Sequence, residues 1–566
     1  MRLREQMSAM LDHWFQWRDH RFSAPASENH ERLTSQHDLR LVERLNALQE
    51  ALTEETPTFT PRYLAHMKAD LSLPAILGWF AAMLHNPNTT SPEASRVGSR
   101  IEREAIRHLG EMMGFGAQVE GHFTSGGTIA NFEAVWRARY RMDRWLALAL
   151  CISQQTGASL DFFDAAHMGW PRFRDLSDRY DINEEAIDAA SALASNPCDI
   201  IRRLSIASGQ PYRGPVLLVP GNRHYSWEKA ADVFGLGREA VWSVELDEGG
   251  RMDIDKFIQT IQRAHRERRP ILAAVAVAGT TETGALDPID AIFDHLDALT
   301  ETRGWSIWRH VDAAYGGFFR TLVHRPGDEG IGARARSSLE AIKRADSITI
   351  DPHKLSYVPY ACGAFLTADA QRYAVSSFDA PYLDRPELGP GKWASTLEGS
   401  RSAAGAAATW LTAETLGFDE NGLGSLLKGA LDATAFLRAL ILRVAPAARF
   451  VPADSNILCF SIAREGDALS ESNRLTEAVF RHFQSSPGFS VSKTTFAAGW
   501  EALRTEHVKG YKGHLDADEM LVIRCVVMNP YWCQPSVRDR VGGLFADELR
   551  AAVEGALNDG SGSPQC

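Results

Sequence analysis

A lysine that follows a short strand-like run, with a histidine directly before it, has the make-up of a covalent-catalysis site. Here Ser347-Ile348-Thr349-Ile350 runs into Asp351-Pro352-His353-Lys354. Only a neutral amine attacks a carbonyl, and an amine buried near a cationic group sheds its proton more readily. Lys354 beside His353 therefore suits a Schiff base with an aldehyde. Alone, the dipeptide is an ordinary loop after a strand. Its companions change that reading. Thr124-Ser125-Gly126-Gly127-Thr128 is a glycine turn opening a helix, where free N–H groups and the Thr128 hydroxyl can hold a phosphate. The turn lacks G-x-x-x-x-G-K-[ST] spacing, so a nucleoside triphosphate is not indicated. His224 lies just past the apolar run 216–220, and Thr280 just past 271–279. Asp312 emerges from 305–311 into Ala313 and Ala314, small residues that leave room for a flat ring whose protonated nitrogen a carboxylate can bond.

These residues need elements to position them. All-apolar runs such as 271–279 are what a sheet covered on both faces requires. They alternate with helical patterns from about 115 to 366, which predicts an α/β fold with a parallel sheet. Helices are expected near 95–113, from 127, over 228–234, from 289 to about 300 and over 337–343. Residues 151–212 read as a polar insertion with some helix, and 320–336 as a charged loop. Small-residue and longer helices at 403–416 and 424–444, then strands near 457–462, 489–493 and 520–527, suggest a smaller C-terminal α+β domain. The expected division is 1–95 helical, 96–395 large α/β, and 396–566 small, ending in a disordered tail. Ligands of open α/β sheets bind outside the carboxyl ends of the strands. Thr128, His224, Thr280, Asp312, His353 and Lys354 are thus expected in one pocket. A phosphate cradle, a stacking ring, an acid and an amine match pyridoxal 5′-phosphate in kind.

The bulk properties narrow the class further. The 566 residues carry a formal net charge of −12, which argues against nucleic acid or an anionic membrane as partner. Seven scattered cysteines without C-x-x-C spacing suggest free thiols in a reducing compartment. The first twenty residues alternate charged and apolar types, so no signal peptide is expected, and apolar runs are too short to span a bilayer. A cytoplasmic location and no metal are expected.

DPHK at 351–354, HVDAAYGG at 310–317, TSGGTIANFEA at 124–134 and NRHYSW at 222–227 resemble the pyridoxal-phosphate-dependent group II amino acid decarboxylases. DPHKLSYVPYACGAFL with EGSRSAAGAAATW at 398–410 is similar to the bacterial tyrosine decarboxylase branch. The resemblance implies the aspartate aminotransferase-like fold type I and decarboxylation of an L-amino acid, most simply an aromatic one. It implies a homodimer with sites shared at the interface, the N-terminal helices among the interface elements. In that pattern Lys354 carries the cofactor, Asp312 holds the ring nitrogen, and His224 stacks on the ring. Gly127, Thr128 and His353 bind phosphate, with Gly399 and Ser400 contributing from the neighbouring subunit, while Thr280 and Ala314 line the ring. One departure stands out. The loop over 320–345, where relatives of this family carry a proton-donating tyrosine, has none here. His324, Tyr357 or Tyr360 remain as donors, and an aldehyde product, a carbon–carbon lyase or an acidic substrate remain as alternatives. Trp79, Phe80, Tyr357 and Tyr360 are the aromatic side chains expected near the pocket.

Overall fold

The structure, a computed structural model, describes residues 3–21, 38–325, 331–377, 391–486 and 488–558. A seven-stranded sheet is built from β1 (Glu120–Thr124), β2 (Val216–Pro220), β3 (Val241–Val244), β4 (Ile271–Val277), β5 (Trp308–Asp312), β6 (Ser347–Ile350) and β7 (Gly363–Thr367). Its order is β1-β7-β6-β5-β4-β2-β3. The pairs from β3 to β6 are parallel, whereas β7 runs antiparallel to both β6 and β1. The expected all-parallel sheet is therefore mixed at one side. A parallel return needs a crossover element of a dozen or more residues, usually a helix, and the loop 351–362 contains none. It can only turn the chain back on itself, which keeps Lys354 near the carboxyl end of β6.

All seven residues of β4 are buried, as two-sided coverage demands. Leu217, Val219, Leu272, Ala273 and Val275 face the helix Gly127–Thr156 and its neighbours. Val216, Leu218, Ile271, Ala274 and Ala276 face Phe257, Ile261, Ile292 and Phe293 of the helices Ile254–Arg266 and Ile289–Arg303. Alternate residues thus serve different layers, except that adjacent Leu272 and Ala273 of β4 fall on one side, where its pairing with β2 shifts register. The helix at 96–112 starts on Ser95, whose hydroxyl accepts from the Gly98 N–H. The insertion is more helical than expected: the helix from Gly127 continues to Thr156, and Phe162–Ala165, Gly169–Arg179, Glu184–Ala189 and Pro197–Ser208 follow.

Ala404–Leu416, expected to open the C-terminal part, packs on Leu73–His85. The approach is close enough that a Cβ on Gly78 would lie 2.7 Å from the Ala407 carbonyl oxygen. A second sheet joins β8 (Ala448–Phe450), β9 (Ile457–Ile462), β10 (Ser492–Phe496) and β11 (Met520–Val526) in the order β10-β11-β9-β8, all antiparallel. The strand expected at 489–493 lies three residues later. Phe489 packs its ring against Phe545, and Ser490 pairs with Tyr63 of the N-terminal segment instead of with β11. The expected disordered tail falls outside the described residues. Among the described residues no helix is long and apolar enough to cross a membrane, and the six described cysteines are free.

The glycine turn after β1 is clamped from two sides. Glu102 accepts from the Phe123 N–H at 3.1 Å and pairs with Arg401, whose guanidinium also donates to the Phe123 carbonyl. On the other side β7 starts on Gly363, where a Cβ would sit 2.6 Å from the Gly126 backbone and 2.8 Å from Asp351 Oδ1. Gly363→Ala is expected to lower the denaturation midpoint by an amount equivalent to about 1–3 kcal/mol, the usual cost of forcing a methyl into a packed site. An unchanged urea midpoint would show that the turn yields without strain.

Candidate active site

The strand ends converge on a cavity of about 340 Å³, lined by residues following β2, β4, β5 and β6 and by the start of the helix Gly127–Thr156. It gathers Gly127, Thr128, His224, Thr280, Asp312, Ala314, His353, Lys354 and Tyr360. It does not gather His324, which lines a separate cleft with His108, Arg320 and Phe418. After β5 the 3-10 stretch Gly316–Leu322 buries Phe318 and Phe319 in the core, Phe318 edge-on to Phe418, and carries His324 away. Part of that expected loop, 326–330, lies outside the described residues. Gly399 and Ser400 are exposed and line no part of this cavity; Ser400 accepts from the Asn88 amide. The expectation for them concerned a neighbouring subunit. Their neighbour Glu398 does reach the turn, accepting from the Ser125 N–H at 3.2 Å. Tyr357 is a core residue whose hydroxyl donates to the Met528 carbonyl, and Trp79 packs among the helices. Neither lines the cavity, nor does Phe80.

Asp312 is the last residue of β5 and is held by a chain of hydrogen bonds with one direction. Trp308 Nε1 donates to Ser347 Oγ at 2.8 Å, and Ser347 Oγ lies 2.8 Å from His310 Nδ1. With Nδ1 accepting, His310 Nε2–H donates to Asn131 Oδ1 at 3.3 Å. That fixes the Asn131 amide, whose Nδ2 donates to Asp312 Oδ2 at 2.8 Å and to Ser226 Oγ at 2.9 Å. A single direction along the chain needs a neutral imidazole, and burial pushes the His310 pKa down to about 4. The Ala314 N–H donates to the other Asp312 oxygen. Both Asp312 oxygens accept.

His224 is set by the same network. Its Nδ1 accepts from the Ser226 N–H at 3.3 Å and lies 2.9 Å from Ser226 Oγ. The proton of the neutral ring is therefore on Nε2. Burial lowers its pKa, against the pull of Asp312. The expected cation beside Lys354 is absent: burial likewise lowers the pKa of His353, whose ring packs on Tyr360. The nearest charge is instead Asp351, with Oδ2 3.0 Å from Lys354 Nζ. Thr280 is buried and hydrogen-bonded to Thr283 and the Ala285 N–H, which stiffens the loop after β4.

Two anchors escaped the sequence reading. Asn131 stands one turn into the helix after Gly127, a polar residue on an otherwise apolar side, which was the available signal. Arg524, from β11, is 5% exposed and donates to the carbonyls of Thr281, Glu282 and Ala65. It ties the cavity loop to the second sheet, and nothing local in the sequence marks it.

The donor set fits an anionic, flat aldehyde. The helix at Gly127 has no side-chain cap, and while the Ile129 and Ala130 N–H groups donate to the Gly126 carbonyl, those of Gly127 and Thr128 are available to an anion. Cβ atoms at Gly127 or Gly363 would collide with Asp351, so the cradle needs glycine. Among the described residues no cluster of three or more His, Cys, Asp or Glu is arranged to hold a metal.

The sequence profile of the pyridoxal-dependent decarboxylase conserved domain matches residues 206–460. An L-tyrosine decarboxylase of Levilactobacillus brevis is 31% identical, covering 91% of this chain and 86% of its own. One from Enterococcus faecium is 27% identical over 98% of this chain and 96% of its own. In fold, the chain is similar to the crystal structure of Oryza sativa TDC with PLP and tryptamine, with TM-score 0.65, 16% identity and coverage of 91% and 88%.

A buried histidine whose folded form resists the proton leaves the unfolded chain as the better proton acceptor. Stability contributed by His310 is thus complete above about pH 6.5 and falls as pH drops toward 4. His310→Gln is expected to remove up to about one proton from those taken up on unfolding near pH 5. The slope of denaturation free energy against pH measures this, and an unchanged slope would contradict a neutral His310.

Proposed function

The chain belongs to the group II pyridoxal-dependent decarboxylases, in the branch of the bacterial tyrosine decarboxylases, and from that premise we propose that its substrate is an aromatic L-amino acid of the tyrosine type, released as the amine and CO₂. The enzyme class, amino acid decarboxylase, and the cofactor, pyridoxal 5′-phosphate, follow from the family. The observation that carries the substrate class is the cavity wall. Tyr225, Tyr315 and Tyr360 contribute aromatic surface, while no arginine is among the described lining residues and Lys354 is the single basic chain beyond two neutral histidines. A second substrate carboxylate would enter without a cation, at the cost of an unpaired buried charge. That the two relatives described above are L-tyrosine decarboxylases supports the same reading.

The roles assigned to individual residues are proposals on this geometry. When bound, the cofactor supplies an aldehyde and a ring that accepts the electron pair left at Cα. Lys354 Nζ provides the amine that carries it. Gly127, Thr128 and His353 hold its phosphate, and Asp312 accepts the ring N–H, its position fixed through Asn131 and His310. His224 covers the ring face and donates Nε2–H to the substrate carboxylate. Thr280 and Ala314 line the ring edge. Tyr360 returns a proton to Cα; burial raises its pKa, so the phenol keeps that proton at neutral pH. We place the enzyme in the cytoplasm, where its free thiols persist.

A second copy is proposed to cover the N-terminal helices. Leu3–Arg21 has no buried residue, and Asp38–Leu52 exposes Leu41, Leu45 and Leu48, the leucines at helical spacing. Light scattering is expected to give a dimer for the full chain and a monomer after removal of residues 1–55.

Carbon dioxide release should be fastest with tyrosine, and slower by about a hundredfold or more with glutamate or aspartate. Faster turnover of either acid would overturn the substrate assignment. Lys354→Ala should neither yellow with pyridoxal phosphate nor release CO₂. Ammonia and peroxide among the products would indicate the aldehyde-forming course.

A further inference from the structure

The reaction described above leaves Asp351 without a task, although it is the residue closest in charge to the reactive amine. It is 2% exposed, with Oδ2 3.0 Å from Lys354 Nζ and 3.6 Å from His353 Nε2. Its Oδ1 is buried with no hydrogen-bond partner. Gly127 and Gly363 lie against the carboxylate, where a Cβ on either would come within 3.0 Å of one of its oxygens. The titratable groups facing it are His353, Tyr360 and Cys362 from its own loop, Asp312 from β5 and His224 from the turn after β2. Burial keeps both histidines neutral and both the phenol and the thiol protonated, the thiol pushed up to about 12. Lys354 therefore supplies the one positive charge that faces Asp351 among these groups.

We propose that Asp351 is a counter-ion that stores Lys354 as the ammonium whenever its amine is out of covalent linkage, slowing cofactor loading and favouring release of the lysine to an incoming substrate amine. The proposal rests on the reading that Lys354 carries the cofactor. A paired ammonium has no lone pair with which to attack. Loading requires Lys354 to leave its ion pair and give one proton to solvent; the Nζ–carbon bond then forms and one water departs. When substrate enters, its amine takes over that carbon, the bond to Nζ breaks, and Nζ receives the proton the substrate ammonium gives up. The resulting ammonium returns to a carboxylate already in place. An ion pair that is costly to break in a buried site thus works against the first step and for the second.

Asp351→Asn keeps the shape and removes the charge. The test follows the rise of visible absorbance when apoenzyme at pH 7 is mixed with pyridoxal phosphate and, separately, with pyridoxal. Removing the opposing charge frees the amine from its ion pair, so the variant is expected to load several-fold faster with both probes. Mere loss of packing would move the rate the other way. Equal or slower loading, or a gain confined to the phosphate-bearing probe, would overturn the proposal. If the variant does not fold, Asp351→Ser is read in the same way. Failure of the unmodified apoenzyme to yellow would instead overturn the role of Lys354.

Discussion

A carboxylate buried at the end of a parallel strand is tolerable only where the neighbouring dipoles point toward it. Asp312 meets that condition through Trp308, Ser347, His310 and Asn131, which pass hydrogen bonds in one direction until the last lands on Oδ2. The chain spans β5, β6 and the helix from Gly127, so the acid, the glycine turn and the lysine loop hold their places together. His310 is central to it, because a protonated ring would present two donors and reverse the polarity at Ser347.

The rest of the molecule can be understood as support for that arrangement. The antiparallel return through 351–362 fixes Lys354 beside the strand ends, and glycines at 127 and 363 let the glycine turn, the lysine loop and β7 meet without side chains between them. The second sheet contributes through Arg524, which holds the carbonyls of Thr281 and Glu282, and through Asn456, which accepts from the Tyr315 hydroxyl at 2.6 Å. Both contacts stiffen the cavity wall from outside the large sheet. Loosening the second sheet would therefore be felt at the site without any change in its own residues.

The charge pattern of the cavity separates two jobs that its acids perform. Asp312 is surrounded by donors of fixed direction and is suited to hold a ring nitrogen. Asp351 has one cation and one unsatisfied oxygen, and is suited to a partner that comes and goes. The two carboxylates lie at the ends of adjacent strands, Asp312 closing β5 and Asp351 just past β6, yet their surroundings give them different uses.

Much of this was legible in the sequence. Glycine turns, strand-end histidines and the Asp-Pro-His-Lys run are local signals, and local chemistry demands those residue types. The parallel core of the sheet and the convergence at its carboxyl edge followed from apolar runs alternating with helices. What could not be read depended on contacts across distance. Sequence adjacency made His353 the natural cationic neighbour of Lys354, but burial leaves it neutral and brings in the Asp351 carboxylate. Chain proximity to Asp312 placed His324 near the site, but two buried phenylalanines turn the chain into the core before it. Asn131 and Arg524 act through partners far away in the chain. The sequence determined which groups were present and roughly where the strands ended; only the tertiary packing decided which of them share a cavity, and desolvation there sets the charge of its histidines.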